Sequence, residues 1–277
     1  MRHMRPVRVM AVTSGKGGVG KTNLSVNLGI AMAEMGRRVA LLDADMGLAN
    51  VDILLGMYPE FNLSHVLKGQ KTLNEIMLVG PSGLKIIPAA SGLQDMSDMP
   101  LNEQAAIIRG FTDIDQETDV LIVDTAAGIS SSVVNFSRAC QEIMVVVCDE
   151  PTSLTDAYAF IKLLNRDYGL SSFNVISNMV QTPQQGEGLF NKLTKVTDRY
   201  LDVALNYIGA VPFDEDLRKS VQKQVPVLKA FPQCKSSLAI KNLARIIDAR
   251  PIKTQVGGYL SFFVERMIQL GIEDNIA

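Results

Sequence analysis

Cysteine is scarce in this chain. There are three, Cys140, Cys148 and Cys234, and no two of them form a C-x-x-C pair. That scatter argues against a disulfide framework, an iron–sulfur clamp and a zinc site, each of which needs thiols at close spacing. Cys148 follows the apolar run Ile143-Met144-Val145-Val146-Val147 and reads as a small buried hydrophobe. No uninterrupted apolar run reaches the ~18 residues of a membrane-spanning helix, so none is expected. Met1 to Arg8 carries three arginines, but no apolar stretch of signal-peptide type follows, so a secretory leader is not expected and the compartment reads as cytoplasmic. Internal repeats and low-complexity segments are also missing.

What is present is a long, apolar chain: 277 residues, 47% of them hydrophobic, with a net charge of −2. That is enough to bury a substantial core. The balance hides an asymmetry. Between Arg218 and Lys253 nine basic residues face one acid, Asp248. Such a stretch suits nucleic acid, an anionic membrane or an acidic partner, or is simply a set of solvated helix faces. Phe231 is its one aromatic residue, whereas stacking on single strands needs several interleaved with the cations.

Apolar runs alternate with helical patterns. Strands are predicted at Arg8–Thr13, Arg38–Asp43, Leu84–Pro88, Val120–Asp124, Ile143–Asp149, Phe173–Asn178 and Ala204–Val211. Helices are predicted at Lys21–Met35, Leu101–Phe111, Ser131–Cys140, Ser153–Tyr168, Gly186–Tyr200, Asp214–Val221 and Lys235–Ala249. Several strands are almost wholly apolar, as strands covered on both faces must be. The pattern predicts an α/β fold with a doubly wound, mostly parallel sheet, whose ligands bind beyond the carboxyl ends of the strands. Residues 1–250 would form this domain. Residues 251–277 would form a linker, broken by Pro251 and Gly257-Gly258, and a terminal amphipathic helix. In that helix Tyr259, Leu260, Phe263, Val264, Met267 and Leu270 line one face, and Phe262 falls toward the polar side.

The strongest motif is Gly15-Lys16-Gly17-Gly18-Val19-Gly20-Lys21-Thr22, between the first strand and the first helix. A glycine-rich loop entering a helix gathers backbone N–H groups and the helix's partial positive charge around an anion. Gly15-x-Gly17-x-x-Gly20 also fits the dinucleotide fingerprint, with Asp43 and Asp45 in about the right place for its acid. The Lys-Thr pair decides for a phosphate loop: Lys21 reaches the β- and γ-phosphates of ATP or ADP and the Thr22 hydroxyl binds Mg²⁺, with Asn23 next in the same turn. Asp43-Ala44-Asp45 closes the second strand, where a carboxylate can order a water or hold the metal shell. Asp124 ends the apolar strand Val120–Asp124 in the Walker B manner, its carboxylate facing Mg²⁺. Gly128 follows, suitably placed for its N–H to sense the γ-phosphate.

The loop with its second lysine, Lys16, resembles the deviant Walker A motif of the MinD/ParA class of ATPases. That resemblance runs from about Val7 to Ala249. It implies that Lys16 crosses to the nucleotide of the partner subunit in an ATP-dependent homodimer, and that Asp45 orients the attacking water. It implies further that Glu150 touches the partner's nucleotide, that Asn178 reads the adenine, and that Pro212-Phe213-Asp214 pack on the base. Within the class, Gly47–Asp52, Ala89–Gly92, Asp149–Asp156 and Lys192–Asp202 are similar to the FlhG/FleN regulators of flagellar number. This similarity implies a slow regulatory ATPase that cycles between cytosol and the inner-membrane lipid surface through Tyr259–Leu270. The partners it implies are an FlhF-type GTPase, a σ54-type flagellar activator (FleQ or FlrA) and C-ring components. The alternative is a ParA-type DNA-partition ATPase, against which the amphipathic tail speaks; nucleic acid is therefore not the expected partner.

Overall fold

The computed structural model describes residues 6–45, 50–89, 100–111, 114, 118–252 and 262–263. Eight strands form one sheet: β1 (Arg8–Ser14), β2 (Val39–Ala44), β3 (Leu78–Val79), β4 (Lys85–Ile87), β5 (Val120–Ala127), β6 (Glu142–Val147), β7 (Ser172–Val180) and β8 (Ala204–Pro212), in the order β3-β4-β2-β5-β1-β6-β7-β8. All pairings are parallel except the short β3, which runs antiparallel to β4. The seven predicted helices form within a few residues of their expected bounds: α1 (Lys21–Glu34), α2 (Leu101–Gly110), α3 (Ser131–Arg138), α4 (Pro151–Tyr168), α5 (Pro183–Tyr200), α6 (Glu215–Gln222) and α7 (Lys235–Ala249).

The two-residue alternation of a strand divides the core between the two faces of the sheet. Met10 and Val12 of β1 point to the side covered by α1 and α7, together with Leu24, Leu28, Ile240 and Ile247. Val9 and Ala11 point to the other side, with Ile107 and Ile108 of α2 and Phe136 of α3. Further along that second face, Phe160 and Leu164 of α4 meet Val145, Phe173 and Val175. β1 lies at the centre of the order, between β5 and β6, and all its residues are buried. The loop it feeds is thereby fixed at the middle of the sheet's carboxyl edge.

Four short α-helical segments, Val51–Leu54, Leu63–Leu67, Leu73–Ile76 and Val227–Ala230, the 3₁₀ turn Pro81–Gly83 and the strand β3 escape the sequence pattern. Each is too short to show a period. The terminal amphipathic helix lies outside the described residues except at Phe262 and Phe263. There the expectation needs correcting. Phe262 is buried rather than on a polar face, and Phe263 has φ 58, which a continuous right-handed helix does not allow. Both rings stand edge-on to Phe111, at centroid distances of 4.9 and 5.9 Å, a favoured aromatic geometry.

Candidate functional site

The loop from Gly15 to Gly20 turns out of β1 and closes on α1. Gly20 caps that helix at φ 87; a side chain here would be strained and would strike the Asn178 amide. Gly15 lies so close to the backbone of Asp156 in α4 that a Cβ has no room. The start of α1 has no side-chain cap and no acid in its first turn, so its N–H groups face the loop without a side-chain acceptor. This is the arrangement a phosphate chain would complete.

The two lysines of the loop do different things. Lys21 is buried, and burial lowers its pKa, while Asp124 and Asp45 act in the opposite direction. Lys16 lies at the exposed rim. Its ammonium pairs with Glu150 and donates to Thr152 Oγ1 at 3.0 Å, and the hydrogen bond to Glu150 holds its pKa above that of an ordinary lysine. Ser14 Oγ donates to the Lys16 carbonyl at 2.6 Å, fixing the loop just ahead of this residue.

Asp43 and Asp124 are register partners on β2 and β5, so two buried carboxylates lie side by side. Burial pushes Asp124 up to about 6; the Ser25 and Thr22 hydroxyls and Lys21 moderate the rise. Its Oδ1 accepts from Ser25 Oγ at 2.7 Å, whereas its Oδ2 is buried without a hydrogen-bond partner. An orphaned carboxylate oxygen costs free energy unless a ligand completes it. Next to the Thr22 hydroxyl it fits a hard cation such as Mg²⁺. Asp43 differs from the metal-holding role expected of it. Its Oδ1 accepts from the Asp45 N–H at 3.1 Å, and its Oδ2 from those of Asn50 and Val51 at 3.0 and 3.2 Å. Burial and the nearby Asp124 push it up to about 8 in spite of these bonds. Its two oxygens thus tie down both sides of the loop that carries Asp45. Gly128 also departs from expectation: its N–H donates to the Ser14 carbonyl at 2.9 Å and does not point free into the site.

Beside the loop, a pocket of about 270 Å³ opens between α1, the ends of β7 and β8, and α6. Asn23, Asn178, Pro212, Phe213 and Asp214, all expected at a nucleotide, line it together with Gly20. Asn178 Nδ2 donates to the Val19 carbonyl at 2.7 Å, so this pocket and the glycine-rich loop are hydrogen-bonded to each other. Asp214 mainly shapes the wall. It accepts from the N–H groups of Asp216 at 3.0 Å and Ser236 at 2.9 Å, capping α6 and meeting the first turn of α7. Burial works to raise its pKa, but these N–H groups hold it below the usual carboxylate range. Sequence reasoning missed Leu24, Met179, Val211, Leu217, Arg218 and Ile240, which complete the lining. Met179 follows Asn178 directly but enters the pocket through a left-handed φ of 57 that no motif announces.

The cysteines stay apart, with Cys140 and Cys148 buried and Cys234 half-buried. Among the described residues no group of three or more His, Cys, Asp or Glu side chains could hold a metal ion. Also among them, no helix is long and apolar enough to cross a membrane.

The ParA family model, described as an NUBPL iron-transfer P-loop NTPase, matches residues 6–248. The chain is 58% identical over 269 residues to the antiactivator FleN of Pseudomonas aeruginosa, spanning 97% of this chain and 96% of that protein. It is 32% identical to the flagellum site-determining protein YlxH of Helicobacter pylori, over 95% and 91% of the two chains. Among solved structures, the MinC:MinD cell division complex of Aquifex aeolicus matches with a TM-score of 0.72 and 25% identity, over 91% of this chain and 100% of that one.

Proposed function

The chain belongs to the ParA/MinD family of P-loop NTPases, and from that premise we propose that it is a Mg²⁺-dependent ATP hydrolase working as a dimerising switch that regulates flagellar number and placement. The flagellar assignment rests on the 58% identity to FleN. The observation that carries the switch is the division of labour between the two loop lysines. Lys21 is buried in the chain's own phosphate cradle. Lys16, in the same loop, is 37% exposed and points away to Glu150. A lysine turned from its own site is free to serve another.

In this reading the loop amides and Lys21 hold the β- and γ-phosphates, and the base enters the pocket beside Asn178, Pro212 and Phe213. Thr22 and Asp124 would hold Mg²⁺, which would supply positive charge against the charge that develops on the phosphates. Asp43 fixes the loop on which Asp45 sits, and Asp45 orients the attacking water. Two ATP-bound copies face each other. Lys16 and Glu150 release one another, and each reaches the nucleotide of the opposite copy. Each site is then complete only in the dimer, so ATP sets how long the dimer lasts. Loss of the γ-phosphate relaxes the loops and parts the copies.

The tail, residues 251–277, links this cycle to the inner membrane. Phe262 and Phe263 are docked beneath Phe111 in a single copy; in the dimer the tail comes free and Tyr259–Leu270 enters the lipid surface. The protein would thus be cytoplasmic as a monomer and peripheral on the membrane as a dimer. Its partners there, by resemblance, are an FlhF-type GTPase, a σ54-type activator of the FleQ or FlrA kind and C-ring components.

Lys16→Ala tests the core of this scheme. ATP affinity, measured by titration calorimetry, should stay within about two-fold of the parent, while turnover falls on the order of 10³-fold, as for loss of an arginine finger. Turnover equal to the parent's would refute the trans role.

A further inference from the structure

Helix α7 buries one side and offers the other to solvent. Ile240, Leu243, Ala244 and Ile247 pack toward α1 and β8. Lys235, Leu238, Asn242, Arg245 and Ile246 are exposed, and Lys241 is half-buried at the margin. At about 100° per residue these six fall within an arc of roughly 140°. Two of them are large and apolar: Leu238 is 51% exposed and Ile246 37%. Three are cations. Lys241 spends one N–H on the Pro232 carbonyl at 3.4 Å and keeps two others. The helix has a single acid, Asp248, and that side chain is turned to the connection between α1 and β2, where Arg37 binds it at 2.8 and 2.9 Å. The outward face is therefore cationic, partly apolar and without an acid.

Its position matters because the tail begins where this helix stops. α7 ends at Ala249, and Arg8 holds the next carbonyl, that of Arg250. At ~1.5 Å per residue the helix is about 22 Å long. The linker 251–258 extends to at most about 28 Å. A released tail can therefore lie beside the whole length of α7. The tail segment Tyr259–Leu270 contains one cation, Arg266, and one acid, Glu265. It has apolar area but no net charge with which to prefer an anionic bilayer. A lone apolar anchor binds reversibly and needs a second signal, which a basic patch supplies.

We infer that the outward face of α7 is a docking surface for an anionic lipid bilayer, with Lys235, Lys241 and Arg245 against the head groups and Leu238 and Ile246 at their level, beside the released tail. This rests on the reading that the tail engages a membrane. Three Lys/Arg near such a surface contribute a factor of roughly 100 in affinity.

The test is co-sedimentation of the full chain with Mg·ATP, using vesicles of phosphatidylcholine alone and of phosphatidylcholine mixed with phosphatidylglycerol, at low and high salt. The parent should prefer the anionic vesicles, and salt should erase the preference. The triple variant Lys235→Gln, Lys241→Gln, Arg245→Gln should bind anionic vesicles roughly 100-fold more weakly, yet match the parent on neutral ones and in ATP turnover. If the parent binds but the triple variant keeps the anionic preference, the docking surface is overturned and the tail reading stands. If the parent binds neither vesicle, both fall. A triple variant that loses retention on duplex DNA but not on anionic vesicles would overturn the lipid assignment and give the face to nucleic acid.

Discussion

The two edges of the central sheet treat buried charge in opposite ways. At the amino edge, Arg8 opens β1 and Glu142 opens β6; the two form a buried ion pair, and Arg8 also donates to the Arg250 carbonyl. This cluster holds down the start of the tail. At the carboxyl edge of neighbouring strands, Asp43 and Asp124 bring two carboxylates together, Lys21 is buried nearby, and Asp124 Oδ2 has no partner. One edge is electrostatically closed and the other is left open. The contrast locates function at the edge where the fold bears the cost of charge it does not itself neutralise.

Removing charge should therefore have opposite effects at the two edges. Arg8→Ala leaves Glu142 buried and unpaired and should cost about 3–5 kcal/mol in urea-monitored stability, with ATP affinity unchanged. Replacing the pair together, Arg8→Met with Glu142→Leu, should recover most of that loss. Asp124→Asn should do the reverse. Turnover with Mg·ATP should fall by about 10²–10³, by analogy with loss of one preorganised group, while the nucleotide-free protein gains about 1–3 kcal/mol of stability at neutral pH. A destabilised Asp124→Asn would erase the distinction between the edges.

The pH profile sharpens the same comparison with a smaller effect. Asp124 sits at about 6 and Asp43 at about 8, both raised above an unfolded carboxylate. In the folded state they keep protons that the unfolded chain has lost. Their contribution to stability is thus fullest at low pH and declines as pH rises from about 4 through 6 and 8. Metal binding would run the other way if, as proposed, Asp124 holds Mg²⁺ through its carboxylate. Below pH 6, Mg²⁺ affinity in the presence of ATP should fall more steeply in the parent than in Asp124→Asn, where the γ-phosphate still titrates but the carboxylate is gone.

Much of this was legible in the chain itself. The buried strands announce themselves as apolar runs, and the phosphate loop as glycines followed by Lys21 and Thr22, because both are local. Asn178 and Pro212-Phe213-Asp214 were found through resemblance and do line one pocket. What stayed hidden is long-range or conformational. Lys16 meets Glu150 and Arg8 meets Glu142, each across 134 residues, and no spacing rule reaches that far. Asp43 looked like a metal ligand because it ends a strand beside the loop; only the folded chain shows three N–H groups around it. Phe262 was misplaced because a helical wheel assumes helical backbone, and Phe263 breaks that assumption at φ 58.

In the proposed switch Lys16 leaves Glu150 for a second copy's nucleotide, so that ATP makes a dimer and hydrolysis undoes it. Light-scattering mass of Asp45→Ala with Mg·ATP tests this most directly, since hydrolysis no longer clears the ATP state. A stable dimer that returns to monomer when Lys16→Ala is added is the predicted result; a monomer for Asp45→Ala at saturating Mg·ATP would contradict the account.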